Sequence, residues 1–406
     1  MTQTNDHSDP PPHNPPPATS PEKARTRAAF DHRQPDRVPC FEQSIASDVA
    51  SEVLGREAFT GTTYLHYQEA CAWMDGEAAH DEFVERLYQD VVAITEALGF
   101  DMIRQPWRHA AKPSARPDEN TFVYGDPEGE HAVYHYDPEA KTFGCVKAHR
   151  SAEEALTDPD ALEPIVGAAE ATAAGATVPN LAETDPWTVR LVRDFGDRWE
   201  IPCAVGLSIP LTEVWLMACL LRPDLVERQL AAQLTMACKR LEAYADLGIY
   251  VVWGGGDLAD KNGPVYGPNV FRDLVLPPVK RLTAKCHELG MVYVYRTDGV
   301  LWPIEREFFV ESGTDAYGEI DHQAGMTIEK LKPRYGDRIT FWGDVPCGTV
   351  LRRGGEADVV EITKRLIDVA APGGGFILGS SNSIIAGTPA RNVVAMYETA
   401  HEYGVA

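Results

Sequence analysis

The chain has 406 residues, 44% of them hydrophobic and 24% charged, enough to bury one large core within a single principal domain. Its 61 acidic residues outnumber 37 basic ones, a balance that favours solubility and opposes a sequence-independent grip on nucleic-acid phosphates. No apolar run approaches the roughly 20 residues of a membrane span, and the eight cysteines are scattered without a C-x-x-C pair, as expected of buried free thiols in a reducing cytoplasm.

Residues 1–21 are polar and proline-rich and read as a disordered tail, which leaves 22–406 as the folded domain. Pro21-Glu22-Lys23 opens a helix with proline in its first turn, running to about His32. A turn at Gln34-Pro35-Asp36-Arg37 leads into a first strand at 38–42. Residues 46–98 are mostly helical, with Phe83, Leu87, Val91, Ile94 and Leu98 at three-to-four spacing, and a second strand follows at 101–104.

From Thr121 to Val146 the pattern changes to short, alternating, aromatic runs, which predicts a small β-hairpin. Together with the alanine-rich helical stretch at 151–175 it makes an insertion of about 115–175. The second half is more regular. Strands predicted at 201–207, 249–253, 291–295, 315–320, 339–342 and 376–378 alternate with helices near 210–221, 223–247, 268–289, 301–312, 325–334, 356–370 and 389–403. Such a succession implies a parallel sheet, and the two early strands complete the α/β class (β/α)8 TIM barrel, with a helical N-terminal elaboration.

In such a barrel, substrate-handling groups follow the C-terminal ends of the strands. Those positions carry an unusually polar set. Arg296, Asp298, Asp257, Glu319 and His322 are the catalytic candidates, and Glu42, Gln43, Trp253, Tyr295, Ser380 and Asn382 the substrate-binding ones. Arg296 beside a buried strand end requires an anionic partner, which Asp257, Asp298 or a substrate carboxylate can supply. Asp257 and Asp298 equally suit turn capping. His322 suits a solvated loop, a proton donor, or, with Glu319 and Asp321, a metal site. Gly254-Gly255-Gly256 lacks the spacing of a dinucleotide-binding loop and reads as a tight turn.

Four segments resemble the uroporphyrinogen decarboxylase superfamily, which also holds corrinoid-linked and thiol methyltransferases. They are Arg27-Ala28-Ala29-Phe30 with Gln34-Pro35-Asp36-Arg37-Val38-Pro39; Gly256-Asp257-Leu258 with Asn262-Gly263-Pro264; Tyr295-Arg296-Thr297-Asp298-Gly299; and Gly373-Gly374-Gly375 through Ser380-Ser381-Asn382 to Thr388-Pro389. The resemblance implies an enzyme acting on a small molecule. Thiol methyltransferases of the superfamily bind zinc through a His-x-Cys pair and a C-terminal cysteine, where this chain has Arg296, Asp298 and Asn382. Zinc is therefore not expected unless Glu319, Asp321 and His322 build a different site. The porphyrinogen decarboxylases carry an arginine-rich segment after the first strand, where this chain has Phe41-Glu42-Gln43-Ser44. A polycarboxylate tetrapyrrole is therefore not expected either.

The expectation is a cofactor-free lyase, a decarboxylase of a small carboxylated (hetero)aromatic compound. The alternatives are a methyltransferase that removes a methyl group from oxygen or nitrogen and passes it to a corrinoid on a partner protein, and a catalytically silent binding or scaffold homologue. A homodimer accords with the resemblance.

Overall fold

Eight extended segments form a ring of parallel staves in the computed structural model, which describes residues 18–149 and 156–405. The expected tail lies outside the described residues up to position 17, as does the start of the alanine-rich stretch. Six staves form one parallel sheet in the order Cys203–Ala204, Val251–Gly255, Val292–Arg296, Ala316–Gly318, Thr340–Val345 and Phe376–Ser380. The residues around Cys40 and Met102 complete the ring through single bridges to Leu378 and Glu200 and a hydrogen bond between the two segments. Phe41 N–H donates to Leu378 C=O (3.0 Å), Asp101 N–H to Cys40 C=O (2.8 Å) and Ile103 N–H to Glu200 C=O (3.1 Å). The eight predicted strands are thus the eight staves.

Inside the ring, Phe41, Trp253 and Trp342 pack against one another, with centroids 4.6 to 5.6 Å apart. These rings fill the barrel, so two facing stave positions must lack side chains. A Cβ on Gly318 would lie 2.3 Å from Trp342, and one on Gly379 would lie 2.4 Å from the Phe41 carbonyl oxygen.

Helix α1 (Pro21–Phe30) starts as predicted: Ser20 Oγ accepts from Lys23 N–H, proline opens the first turn, and Glu22 faces the positive helix end. The stretch predicted as mostly helical resolves into α2 (Ser47–Leu54), α3 (Thr62–Asp75) and α4 (Glu77–Ala97). Helices Leu181–Thr184 and Pro186–Phe195 occupy a part of the chain that the periodicity left unassigned. Among the described residues, no helix is long and apolar enough to cross a membrane.

The insertion differs from the single hairpin expected. It is a four-stranded antiparallel sheet, β1 (Ala115–Asp118), β2 (Thr121–Gly125), β3 (His131–Asp137) and β4 (Thr142–Ala148). Three aspartates make the difference, because each accepts a backbone N–H two residues on: Asp118 from Asn120 (2.9 Å), Asp126 from Glu128 (3.0 Å) and Asp137 from Glu139 (2.9 Å). Three such turns need four strands. Phe122, Tyr124, Tyr136 and Phe143 then pack on Tyr67 and Ala70, which clamps the sheet to α3.

Candidate active site

The cavity at the C-terminal mouth of the barrel has a volume of about 610 Å³ and is lined by Gln43, Arg104, Asp257, Arg296, Asp298, Glu319 and Asn382, with Thr62, Thr63 and His66 of α3 and Trp107 on the near side. Stave geometry puts these groups there. Successive side chains on a strand point to opposite faces, so Gln43 and Arg296 enter the cavity while their neighbours Glu42 and Tyr295 turn into the surrounding shell.

A run of hydrogen bonds joins four stave ends. Arg296 Nη1 donates to Glu319 Oε1 (2.9 Å) and to Gln43 Oε1 (3.2 Å). Gln43 Nε2 donates to Asn382 Oδ1 (3.0 Å), and Asn382 Nδ2 donates to both Asp298 oxygens (3.1 Å each). Arginine only donates, so the amides of Gln43 and Asn382 can each face one way. Burial, reinforced by the Glu319 carboxylate and opposed by Asn382, pushes the Asp298 carboxyl up to about 6. Near neutral pH it can hold or release a proton. Glu319 is 7% exposed, paired with Arg296, and held at a φ of 66°, a left-handed conformation uncommon for glutamate.

The floor of the cavity is rich in unused donors. Arg104 makes no hydrogen bond or ion pair with a described residue, and its guanidinium lies over the Trp253 ring at 5.5 Å. Burial, with the Arg296 charge beside it, pulls it down to about 10. Arg296 covers Trp253 at 5.0 Å, and Arg296 Nε and Trp253 Nε1 are both buried without a partner among the described residues. Buried donors of this kind cost free energy unless an acceptor arrives. An anionic oxygen-bearing ligand supplies one.

Six of the predicted site residues therefore meet in one cavity: Arg296, Asp298, Asp257, Glu319, Gln43 and Asn382. Trp253 lies beneath it, 4% exposed. The other four point elsewhere. Tyr295 is buried against Phe308 at 4.9 Å between stave and helix. His322 Nε2 lies 2.7 Å from Oδ2 of the fully buried Asp344. Burial pushes Asp344 up to about 7, and the hydrogen bond to Asp344 raises His322 against its own burial, so the pair retains a shared proton near neutral pH.

Glu42 and Ser380 form a brace behind the cavity. The Glu42 carboxylate accepts from Ser380 N–H, Ser380 Oγ and Tyr397 Oη (3.0 Å each) and from Gln43 N–H (3.1 Å). Burial pushes its carboxyl up to about 7. Glu42→Gln turns an amide N–H₂ toward groups that also donate and is expected to cost about 1–3 kcal/mol of stability. Urea unfolding measures this; an unchanged midpoint means the carboxylate is not the hub of the brace.

The three residues of the metal alternative face apart. Glu319 faces Arg296, Asp321 Oδ1 accepts from Gln323 and Ala324 N–H (2.9 and 3.1 Å), and His322 faces Asp344. Among the described residues, no group of three or more histidine, cysteine, aspartate or glutamate side chains converges on a metal position. The zinc-site positions of the thiol methyltransferases hold a guanidinium, which cannot ligate, and an aspartate and an asparagine bonded to each other. That donor set does not fit zinc.

Arg104 and His66 line the cavity although neither stands among the residues singled out from the sequence. Arg104 closes the second predicted strand and reads there as strand rather than site. An arginine ending an apolar strand, as Arg296 also does, is the signal that would have found it.

Residues 205–403 match the family described as uroporphyrinogen decarboxylase (URO-D). Over those residues the chain carries a URO-D domain. Among solved structures it is similar to a methyltransferase from Methanosarcina mazei, with TM-score 0.63 and 18% identity over 94% of this chain and 98% of the other. At that identity the likeness establishes a shared fold. A sugar phosphate isomerase/epimerase from Parabacteroides distasonis matches with TM-score 0.30 and 10% identity over 53% of this chain and 75% of the other, too distant to weigh. Comparison with curated proteins finds no match. The barrel thus carries, at its mouth, arginines, amides and carboxyl groups rather than soft metal ligands.

Proposed function

We propose that this URO-D domain protein is a decarboxylase of small carboxylated (hetero)aromatic compounds that works without a cofactor. One observation supports this above the others: an unpartnered guanidinium, Arg104, opens onto the same cavity as a carboxyl group, Asp298, poised at about 6. Arg104 and the free Nε of Arg296 hold a substrate carboxylate. A carboxylate gripped by guanidinium is stabilised in the ground state, so the group that departs is a second one, directed away from the arginines. Asp298 first protonates the ring carbon that bears this second group, and Asp257 or Glu319 offsets the positive charge that the proton places on the ring. The C–C bond then breaks, its electron pair returns to the ring and neutralises that charge, and CO₂ leaves.

Because the acid form of Asp298 is the active one, the rate is expected to be level below about pH 6 and to fall about tenfold per pH unit above it. CO₂ release from a panel of heteroaromatic dicarboxylates tests the reaction and its pH dependence together. No CO₂ from any member, or a rate that rises with pH, counts against the assignment.

A second reading is methyl transfer, favoured by the methyltransferase from Methanosarcina mazei that shares the fold. A corrinoid on a separate protein would then accept a methyl group from substrate oxygen or nitrogen, and Asp298 would protonate the heteroatom left behind. Methylation of added cob(I)alamin by methoxylated or methylated acids separates this reading from the first. The unused donors in the cavity weigh against a silent scaffold, since a barrel without a ligand gains nothing by burying them.

A further inference from the structure

Residues 103–113 carry no regular secondary structure, yet they leave the second stave at Arg104 and reach Trp107 at the cavity rim. Trp107 is 79% exposed, unusual for so large an apolar side chain. At that exposure at least one face of its indole is open. The ring of His66 meets it at right angles, with centroids 5.8 Å apart.

An exposed tryptophan on an irregular segment would ordinarily move freely. This one is fastened by a single face of α3. His66, Glu69 and Trp73, spaced i, i+3 and i+7, all reach across to it. His66 Nε2 donates to the Trp107 carbonyl oxygen (3.0 Å), and Trp73 Nε1 donates to the Ala110 carbonyl oxygen (3.1 Å). Glu69, 1% exposed, accepts from Arg108 Nε (2.9 Å) and Ala110 N–H (3.3 Å), and Arg108 Nη2 also donates to it. A buried carboxylate, a guanidinium and an indole are expensive fastenings for a loop without a task.

We propose that Trp107 is the aromatic platform of a planar-acid subsite: a flat ring stacks on its indole while the carboxylate of that ring reaches Arg104, and α3 holds both in register. This rests on the reading of the cavity as a carboxylate site. It adds that the preferred acid is planar, that Trp107 sets the preference, and that Glu69 is a positioning residue.

Benzoate and cyclohexanecarboxylate carry the same charge on rings of similar size, one flat and one puckered. Calorimetric titration of the full chain is expected to show benzoate binding about threefold to tenfold more tightly, the range of an aromatic pair. Trp107→Ala should erase the preference and Trp107→Phe restore most of it, and the exposure of Trp107 makes both substitutions safe for folding. Glu69→Gln should weaken benzoate selectively and make the fluorescence lost in Trp107→Phe more accessible to acrylamide. Equal affinities in the unaltered protein, or a preference that survives in Trp107→Ala, overturns the platform but leaves the carboxylate reading standing. Failure of both acids to bind removes the two together. Unchanged selectivity and quenching in Glu69→Gln overturns the positioning role.

Discussion

Replacing Asp298 by asparagine is expected to lower kcat by about 10²- to 10⁴-fold, the range for loss of a positioned general acid, while KM stays within a few-fold of its original value. Asparagine keeps the shape and can still accept from Asn382, so the hydrogen-bonded run from Glu319 to Asn382 survives. What disappears is the proton. The fall in rate above about pH 6 should disappear with it, because the group responsible no longer titrates. Steady-state kinetics from pH 5 to 9 checks both effects. A variant that keeps more than about a tenth of kcat, or that retains the fall, assigns the proton to another group.

Arg104→Met should show the second large effect, and its two components have opposite signs. Arg104 has no described partner, so its removal strands no buried carboxylate and relieves a desolvated charge; stability should hold or rise by about 1 kcal/mol. Affinity for the acid should fall about 10- to 150-fold, the worth of a charge-assisted hydrogen bond of about 1.5–3 kcal/mol. Arg296→Met is the control. It leaves Glu319 buried and unpaired and should cost about 3–5 kcal/mol of stability. Urea denaturation beside ligand titration distinguishes the two arginines. A destabilised Arg104→Met with unchanged affinity means that Arg104 is structural and the anion site lies elsewhere.

The barrel was legible because each stave is a short apolar run followed by an amphipathic helix, a pattern that survives in sequence without knowledge of contacts. The helix at 356–370 has the predicted bounds. The insertion was less legible. Its alternating aromatics announced strands, but the strand count was carried by three aspartates in turns. At the site, position along the chain identified the stave ends, whereas facing depended on single-residue phase. Glu42 and Gln43 are adjacent, yet one braces the shell and the other lines the cavity. Arg104 was legible in position, since it ends an apolar strand as Arg296 does, whereas its lack of a partner among the described residues is visible only in the folded chain.

The directed hydrogen bonds between Gln43 and Asn382 bear on how this site can change over evolutionary time. Their two amides are matched like plug and socket: Gln43 must present oxygen to Arg296 and nitrogen to Asn382, and Asn382 must present nitrogen to Asp298. A glutamate at position 43 would bring its acceptor oxygen against the oxygen of Asn382, and an aspartate at 382 would face Asp298 with like charge. Neither step is tolerable alone. Homologues that depart from one amide should therefore depart from the other, and an aligned set of sequences from this branch should show the two positions, 339 residues apart in the chain, varying as a pair.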